Sequence, residues 1–195
     1  MSVPVPARRA NAAARRRSLR AEFAYALIGA ALLLTGSGMA ASADALREGI
    51  AAFNRQDYVR AAFLLRPLGE NGDPRAQTYL GFMYYYGRGV PQNYEEAVRF
   101  YGNAAESGVP LAQYQYGLLF DKGQGVPQDY VLAYVWTNRA VAAAPRNVRE
   151  PWSRVRDAIR NKLTLAQKTL AQRLSIGSPV VNTSREALWS FEHLY

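Results

Sequence analysis

The 195-residue sequence contains no cysteine and one histidine, His193 near its end. The absence of cysteine excludes disulfide bonds, thiol nucleophiles and thiolate metal sites together. One histidine is too few for a histidine metal cluster, and its place in the tail makes a catalytic triad implausible. No carboxylate pair, phosphate loop or nucleophile with a nearby base stands at a spacing typical of catalysis. We therefore predict no enzyme activity, no cofactor and no metal site.

The net charge of +9 is concentrated at the amino terminus. Residues 8–20 hold six arginines and no acid, an apolar run of about 12 residues follows over 23–34, and Ala41-Ser42-Ala43 comes next. This order is typical of a secretory signal peptide, which predicts residues 1–43 as the signal with cleavage after Ala43. The apolar run is short of the roughly 20 residues that span a bilayer. We expect a periplasmic or secreted protein, with an uncleaved inner-membrane anchor as the alternative.

The predicted mature chain is only modestly basic. Residues 1–43 hold six arginines and one glutamate, so their removal leaves 18 basic and 14 acidic side chains. This balance no longer favours nucleic acid as a partner, and we expect none. A membrane contact is expected only through the signal segment, if it stays uncleaved.

Two segments of the chain repeat with a period of 36 residues. The first reads A-x-x-x-L-G-x-x-Y-x-x-G-x-G-V-P-Q-N-Y-x-x-A from Ala76, and the second reads A-x-x-x-Y-G-x-x-F-x-x-G-x-G-V-P-Q-D-Y-x-x-A from Ala112. A half-repeat stands upstream, where Q-D-Y-x-x-A begins at Gln56. A period in this range is typical of a solenoid, in which each helix pair buries its apolar face against its neighbours.

Capping residues, glycines and prolines predict the helix ends within each unit. Asp73-Pro74 predicts a helix start, and Gly87 to Pro91 predicts the break that follows. Asn93 with Glu96 three residues later predicts a capping box. Since Gly81 and Gly117 occupy equal positions inside predicted helices, we expect a second helix to approach closely there.

The periodic motif ends after Ala144. Pro151 to Asn161 and Thr164 to Leu174 predict two plain helices, and we assign residues 150–175 to capping helices. Thr164 and Gln167 predict a capping box at the second of these. Residues 176–195 are a tail with a short amphipathic helix. Its apolar face would carry Leu188, Phe191 and Tyr195, which would cover the last solenoid helix or extend to a partner.

The repeated motif resembles the Sel1-like repeat, a relative of the tetratricopeptide repeat. The resemblance covers a half repeat over 45–72 and full repeats over 73–108 and 109–144, within a solenoid domain over 44–175. It implies an all-α fold, an α/α superhelical solenoid, that serves as an adaptor for other proteins. Exported bacterial members look like regulators or assembly factors of the cell envelope. The first unit departs from the pattern because it lacks the G-x-G-V-P loop.

Aromatic residues indicate where such an adaptor would bind. Ten of the 13 tyrosines fall between Tyr79 and Tyr134. In the architecture that the resemblance implies, the first helix of each unit lines the concave side, and tyrosine suits a contact surface there. The candidate partner-binding residues are Thr78, Phe82, Tyr85, Tyr86, Tyr114, Leu118 and Lys122. The competing interpretation is that these rings pack between neighbouring helices.

A second candidate surface is basic. Nine lysines and arginines lie between Arg139 and Arg173, against Glu150 and Asp157 alone. A solvated helix face explains this charge, and so does contact with an anionic component of the envelope. The alternative function is therefore a binding module for anionic envelope glycan or lipid through the basic carboxy-terminal helices.

Overall fold

The computed structural model describes residues 41–176. The predicted signal peptide up to residue 40 and the tail beyond residue 176, which includes His193 and the predicted amphipathic helix, lie outside the described residues. The chain divides into units of residues 1–44 and 45–195. Of the first unit, residues 41–44 are described and are helical. Across residues 41–176, no helix is long and apolar enough to cross a membrane.

Regular structure within the described residues is entirely α-helical, in eight helices. They are α1 (41–54), α2 (Tyr58–Glu70), α3 (Pro74–Tyr86), α4 (Tyr94–Glu106), α5 (Pro110–Lys122), α6 (Tyr130–Ala143), α7 (Arg146–Lys162) and α8 (Leu165–Ile176).

Each helix packs against the next one in the chain, from α2 through to α7, and α8 returns to α6. The pairs α3/α4 and α5/α6 are the two full repeats. These four helices carry many of the largest buried side chains, with Leu80, Phe100, Tyr101 and Leu119 at 2% exposure or less and Trp136 at 1%. This confirms the all-α solenoid predicted from the repeat.

Polar caps start the helices where the sequence predicts them. The Asp73 carboxylate accepts hydrogen bonds from the backbone N–H groups of Arg75 and Ala76, at 2.9 and 2.8 Å. Asn93 caps α4 in the same way, but the predicted capping box is wrong: the Glu96 carboxylate accepts from Arg99 instead. The reason is that the Asn93 N–H already donates to the Tyr84 carbonyl, at 3.0 Å.

The predicted capping box at α8 is confirmed. The Thr164 N–H donates to Gln167 Oε1 at 3.0 Å, and the Gln167 N–H donates to Thr164 Oγ1 at 3.3 Å. The backbone N–H groups of Thr164 and Gln167 at the start of the helix are thereby satisfied without a partner from another helix.

Helix α7 begins at Arg146, five residues before the predicted start at Pro151. Pro151 therefore lies inside the helix, where it cannot donate to the carbonyl one turn back. The Arg149 guanidinium donates to the Ala144 carbonyl at 2.7 Å, which ties the first turn to the end of α6. The helix thus accommodates a proline in its second turn, and the Arg149 hydrogen bond holds the turn before it.

Each full repeat contacts both ends of the second helix in the preceding unit. At one end, the loop glycines Gly89 and Gly125 have positive φ and lie directly against the backbones of Tyr58 and Tyr94, so that an added Cβ would overlap those residues. These glycines are structural, as the motif predicts.

A buried glutamine makes the contact at the other end of that helix. Gln77 Nε2 donates to the Gly69 carbonyl at 3.0 Å, and Gln113 Nε2 donates to the Ala105 carbonyl at 3.1 Å. The 36-residue spacing of the two glutamines was a sequence signal for this bond, but the motif as written above leaves both positions unspecified. The pair of contacts fixes the register of each unit on its predecessor.

The interior glycines allow the predicted close approach within each unit. A Cβ on Gly81 would lie 2.7 Å from the Tyr101 ring, and a Cβ on Gly117 would lie 2.7 Å from Thr137 Cγ2. The two helices of a repeat therefore meet at the glycine, as expected.

The outer faces of the three second helices differ. On α2, Val59 and Phe63 are 70% and 79% exposed. The equivalent residues of α4 are charged. On α6 they are Val131 and Val135, which are buried in a cluster with residues of α8 and of the turn before it. Helix α8 therefore covers the apolar outer face of α6. The equivalent face of α2 is exposed.

Candidate functional site

A groove of about 410 Å³ lies along the first helices α1, α3 and α5. Its lining residues are Phe53, Arg75, Thr78, Tyr79, Phe82, Tyr101, Val109, Leu111 and Gln115. Most of this lining is aromatic or aliphatic, which is typical of a binding site.

An aromatic cluster forms one wall of the groove. The Phe53 ring of α1 makes edge contacts with Tyr79 and Phe82 of α3, with ring centroids 4.8 and 5.2 Å apart. Tyr58 also makes an edge contact with the Phe53 ring, with ring centroids 5.3 Å apart. Because these rings fix one another in edge-to-face geometry, the wall exists without a bound partner.

The floor of the groove comes from the second helix of the repeat. Tyr101 of α4 is 2% exposed, and its ring lies against Gly81, where any side chain would displace it. Burial raises the pKa of the Tyr101 hydroxyl well above its usual range, with smaller contributions from Tyr86 and Tyr85. The floor is therefore uncharged at physiological pH.

Arg75 carries the only charge among the lining residues. It is exposed, and its guanidinium makes no ion pair with any residue in the 41–176 range. The nearest acid in sequence, Asp73, directs its carboxylate to the N–H groups at the start of α3. The groove is thus apolar inside with a cationic group at its edge.

The structure places two of the seven predicted contact residues, Thr78 and Phe82, in this groove. Thr78 is 8% exposed, and its hydroxyl donates to the Pro74 carbonyl at 2.7 Å. Thr78 therefore contributes little accessible surface, whereas the half-buried Phe82 ring forms part of the wall.

Three of the others, Tyr85, Tyr86 and Lys122, form a separate cluster that links the ends of α3 and α5. The Tyr85 hydroxyl donates to Gln124 Oε1 at 2.8 Å and accepts from Lys122 Nζ at 3.0 Å. This hydrogen bond raises the pKa of Lys122, against a smaller opposing effect of burial. Tyr86 is 51% exposed and packs against Phe82, with ring centroids 4.6 Å apart.

Tyr114 and Leu118 lie nearer the start of α5 than Lys122 does. The Tyr114 ring stacks on Trp152 of α7, with centroids 4.5 Å apart and planes 8° from parallel. Burial raises the pKa of the Tyr114 hydroxyl. One face of this ring is therefore occupied by α7, and Leu118 is half-buried.

Sequence reasoning missed most of the groove lining. Tyr101 comes from α4, a second helix, and Val109 precedes the first residue of α5, so a helical wheel of the first helices could not find these two. Four of the remaining residues occupy matching positions in the two repeats. Arg75 and Leu111 each stand one residue before the repeated alanine, and Tyr79 and Gln115 each stand three residues after it.

The part of the chain that the structure describes contains no candidate set of metal ligands. No group of three or more histidine, aspartate or glutamate side chains there is arranged to hold an ion.

Comparison with known proteins gives the same repeat pattern. Residues 74–109 and 110–144 each match the family described as Sel1 repeat. Among solved structures, a protective antigen present in uropathogenic Escherichia coli strains, displaying an SLR fold, is 26% identical with a TM-score of 0.64. That match covers 79% of this chain and 33% of the antigen.

A Sel1 repeat protein from Oxalobacter formigenes is 33% identical with a TM-score of 0.49, over 51% of this chain and 39% of that one. The present chain thus spans between a third and two fifths of the length of these structures. No curated protein matches the sequence.

Proposed function

Since residues 74–144 are two Sel1 repeats, and such repeats generally bind other proteins, we propose that this protein is a non-enzymatic adaptor whose partner binds in the groove along α1, α3 and α5. The proposal extends to a place in the bacterial cell envelope. That part rests on the signal-like pattern of residues 1–43.

The observation that carries the proposal is the open apolar groove. Exposed apolar surface is costly in water, and a concave apolar site of this size is characteristic of ligand or partner binding. Leu111 is 47% exposed at its edge. A partner that inserts a large aliphatic or aromatic side chain would bury this surface.

Arg75 adds a preference to this apolar contact. Because its guanidinium has no ion pair among the described residues, an acidic group beside the inserted apolar side chain would gain a charge-assisted hydrogen bond. The partner segment that best fits the groove therefore carries a large apolar residue next to an acid.

Affinity capture with groove variants tests the proposal. The wild-type protein and the variants Phe82→Ala and Leu111→Ser are used to recover partners from an envelope extract, at low salt and at about 0.5 M salt, where the Debye length is about 4 Å. Phe63→Ala is the matched control, because it removes an exposed phenylalanine from α2 outside the groove.

We expect one partner to be recovered with wild type and Phe63→Ala at both salt concentrations and to be lost with Phe82→Ala and Leu111→Ser. Circular dichroism checks that both groove variants keep their helical signal. Recovery of the same partner with both groove variants would place the interface elsewhere.

A further inference from the structure

The basic residues of the terminal helices divide into paired and unpaired cations. Ion pairs join Arg154 with Glu150, Arg156 with Asp157 and Lys162 with Asp121. In contrast, no ion pair and no side-chain hydrogen bond within residues 41–176 is made by Arg146, Arg160, Lys168 or Arg173. The charge pattern alone did not distinguish these four residues from the paired ones.

Two of the unpaired cations, Arg160 and Lys168, line one pocket of about 280 Å³ between α6, α7 and α8. Lys168 is half-buried there, and no acidic side chain is among the lining residues. The nearest acid in sequence, Asp157, is held by Arg156 at 2.9 Å. Two like charges in one pocket repel each other, so a bound anion would stabilise this arrangement.

The neutral lining residues offer hydrogen bonds of both kinds. Asn138 Oδ1 accepts from Arg156 at 3.5 Å, which leaves the amide NH₂ of Asn138 to donate. The Ser175 hydroxyl donates to the Ala171 carbonyl at 2.8 Å, so its oxygen is an acceptor. Gln172 supplies a further donor and acceptor. Such a set matches the hydroxyl groups of a polyol better than a bare inorganic anion.

The size and the aromatic wall of the pocket narrow the class of ligand further. Its volume is just below the range of about 300–1,000 Å³ typical of drug-sized ligands, so it suits a single small molecule. The lining also includes the aromatic ring of Tyr134 and the side chain of Leu163, which is 4% exposed. An aromatic face beside amides is suited to the C–H groups and hydroxyls of a sugar ring.

From this convergence we propose that the pocket between α6, α7 and α8 binds one monosaccharide-sized sugar that carries a carboxylate or a phosphate. Arg160 and Lys168 bind the anionic group, and Asn138, Gln172 and Ser175 bind the hydroxyls. The pocket is separate from the groove of α1, α3 and α5, so this inference does not depend on the proposed adaptor function.

Isothermal titration calorimetry of the purified protein at constant ionic strength tests the inference. The ligands are glucuronate, glucose 6-phosphate, inorganic phosphate and glucose. We expect saturable binding of at least one of the two sugar anions, weaker binding of inorganic phosphate and none of glucose. Hydrogen bonds to charged groups contribute enough that Arg160→Gln and Lys168→Gln should each weaken that binding about tenfold or more.

Arg173→Gln is the matched control, because Arg173 is an exposed cation of α8 that does not line the pocket. Its affinity for the sugar anion should equal that of wild type. All three positions are on helix surfaces, and circular dichroism verifies that the variants stay folded.

Three results would overturn the inference. They are the absence of saturable binding of either sugar anion, an equal loss of affinity in Arg173→Gln, and inorganic phosphate binding as tightly as glucose 6-phosphate with no binding of glucuronate. The second would indicate diffuse attraction to the basic helices, and the third a plain anion site.

Discussion

The contact between a loop glycine and the preceding repeat makes a quantitative prediction about stability. Gly125 has φ +72°, and a Cβ added there would lie 2.5 Å from the carbonyl carbon of Tyr94 and closer still to its oxygen. Replacing Gly125 with alanine therefore has two costs. The left-handed backbone costs an L-residue about 1–2 kcal/mol, and the forced displacement of α4 adds about 1–3 kcal/mol, as overpacking does elsewhere.

Gly108→Ala separates these two costs. Gly108 has φ +83°, but a Cβ there would meet nothing within 4 Å. This control therefore carries the backbone strain of about 1–2 kcal/mol without the clash. We expect Gly125→Ala to lower the free energy of unfolding by about 2–5 kcal/mol in total, which exceeds the loss in Gly108→Ala by about 1–3 kcal/mol.

Urea unfolding followed by circular dichroism measures the difference, with the slope of the transition checked in each variant because repeat arrays can lose cooperativity. Equal losses in the two variants would refute the argument that Gly125 is required by the approach of the preceding helix. The backbone conformation alone would then account for the glycine.

Two further predictions concern a pH dependence and the chain's amino terminus. Arg99 donates two hydrogen bonds to the Glu70 carboxylate, at 2.9 and 3.1 Å, and lowers the pKa of Glu70. A lowered carboxylate pKa stabilises the fold above the ordinary glutamate pKa, and this stabilisation is lost as pH falls through the lowered value. Arg99→Gln should therefore reduce the urea midpoint at pH 7 and approach wild type near pH 3, whereas a gap that stays constant with pH would contradict the assignment. Amino-terminal sequencing of the protein from its native host should begin at Asp44, and a retained residue 1–43 segment would favour the membrane-anchored alternative.

Helix bounds in the repeats were predictable because local chemistry determines them. Asp73-Pro74 starts α3 and Gly87 ends it, since a carboxylate cap, a proline without N–H and a residue with positive φ each act within one turn. At α7 the same reasoning was wrong. Pro151 looked like a first helical residue, whereas the helix begins at Arg146 and tolerates the proline inside it.

The groove could be predicted only in part, since it is assembled from several helices. The pattern along α3 identified Phe82, whose position on the face follows from helical spacing alone. Phe53 and Tyr101 reach the same groove from α1 and α4, and their places depend on how helices cross, which Gly81 allows but does not specify. Tyr114 illustrates the converse, because its outward face is occupied by Trp152 from a helix outside the repeat.

The paired contacts at each junction also say how such a chain can lengthen. Residues 73–108 meet their predecessor through Gln77 and Gly89 and present to their successor the same kinds of groups that they themselves require. An in-frame duplication of this 36-residue segment would thus find matching surfaces on either side. Tandem copying within the gene could extend the binding face stepwise, with no new interior contact to evolve.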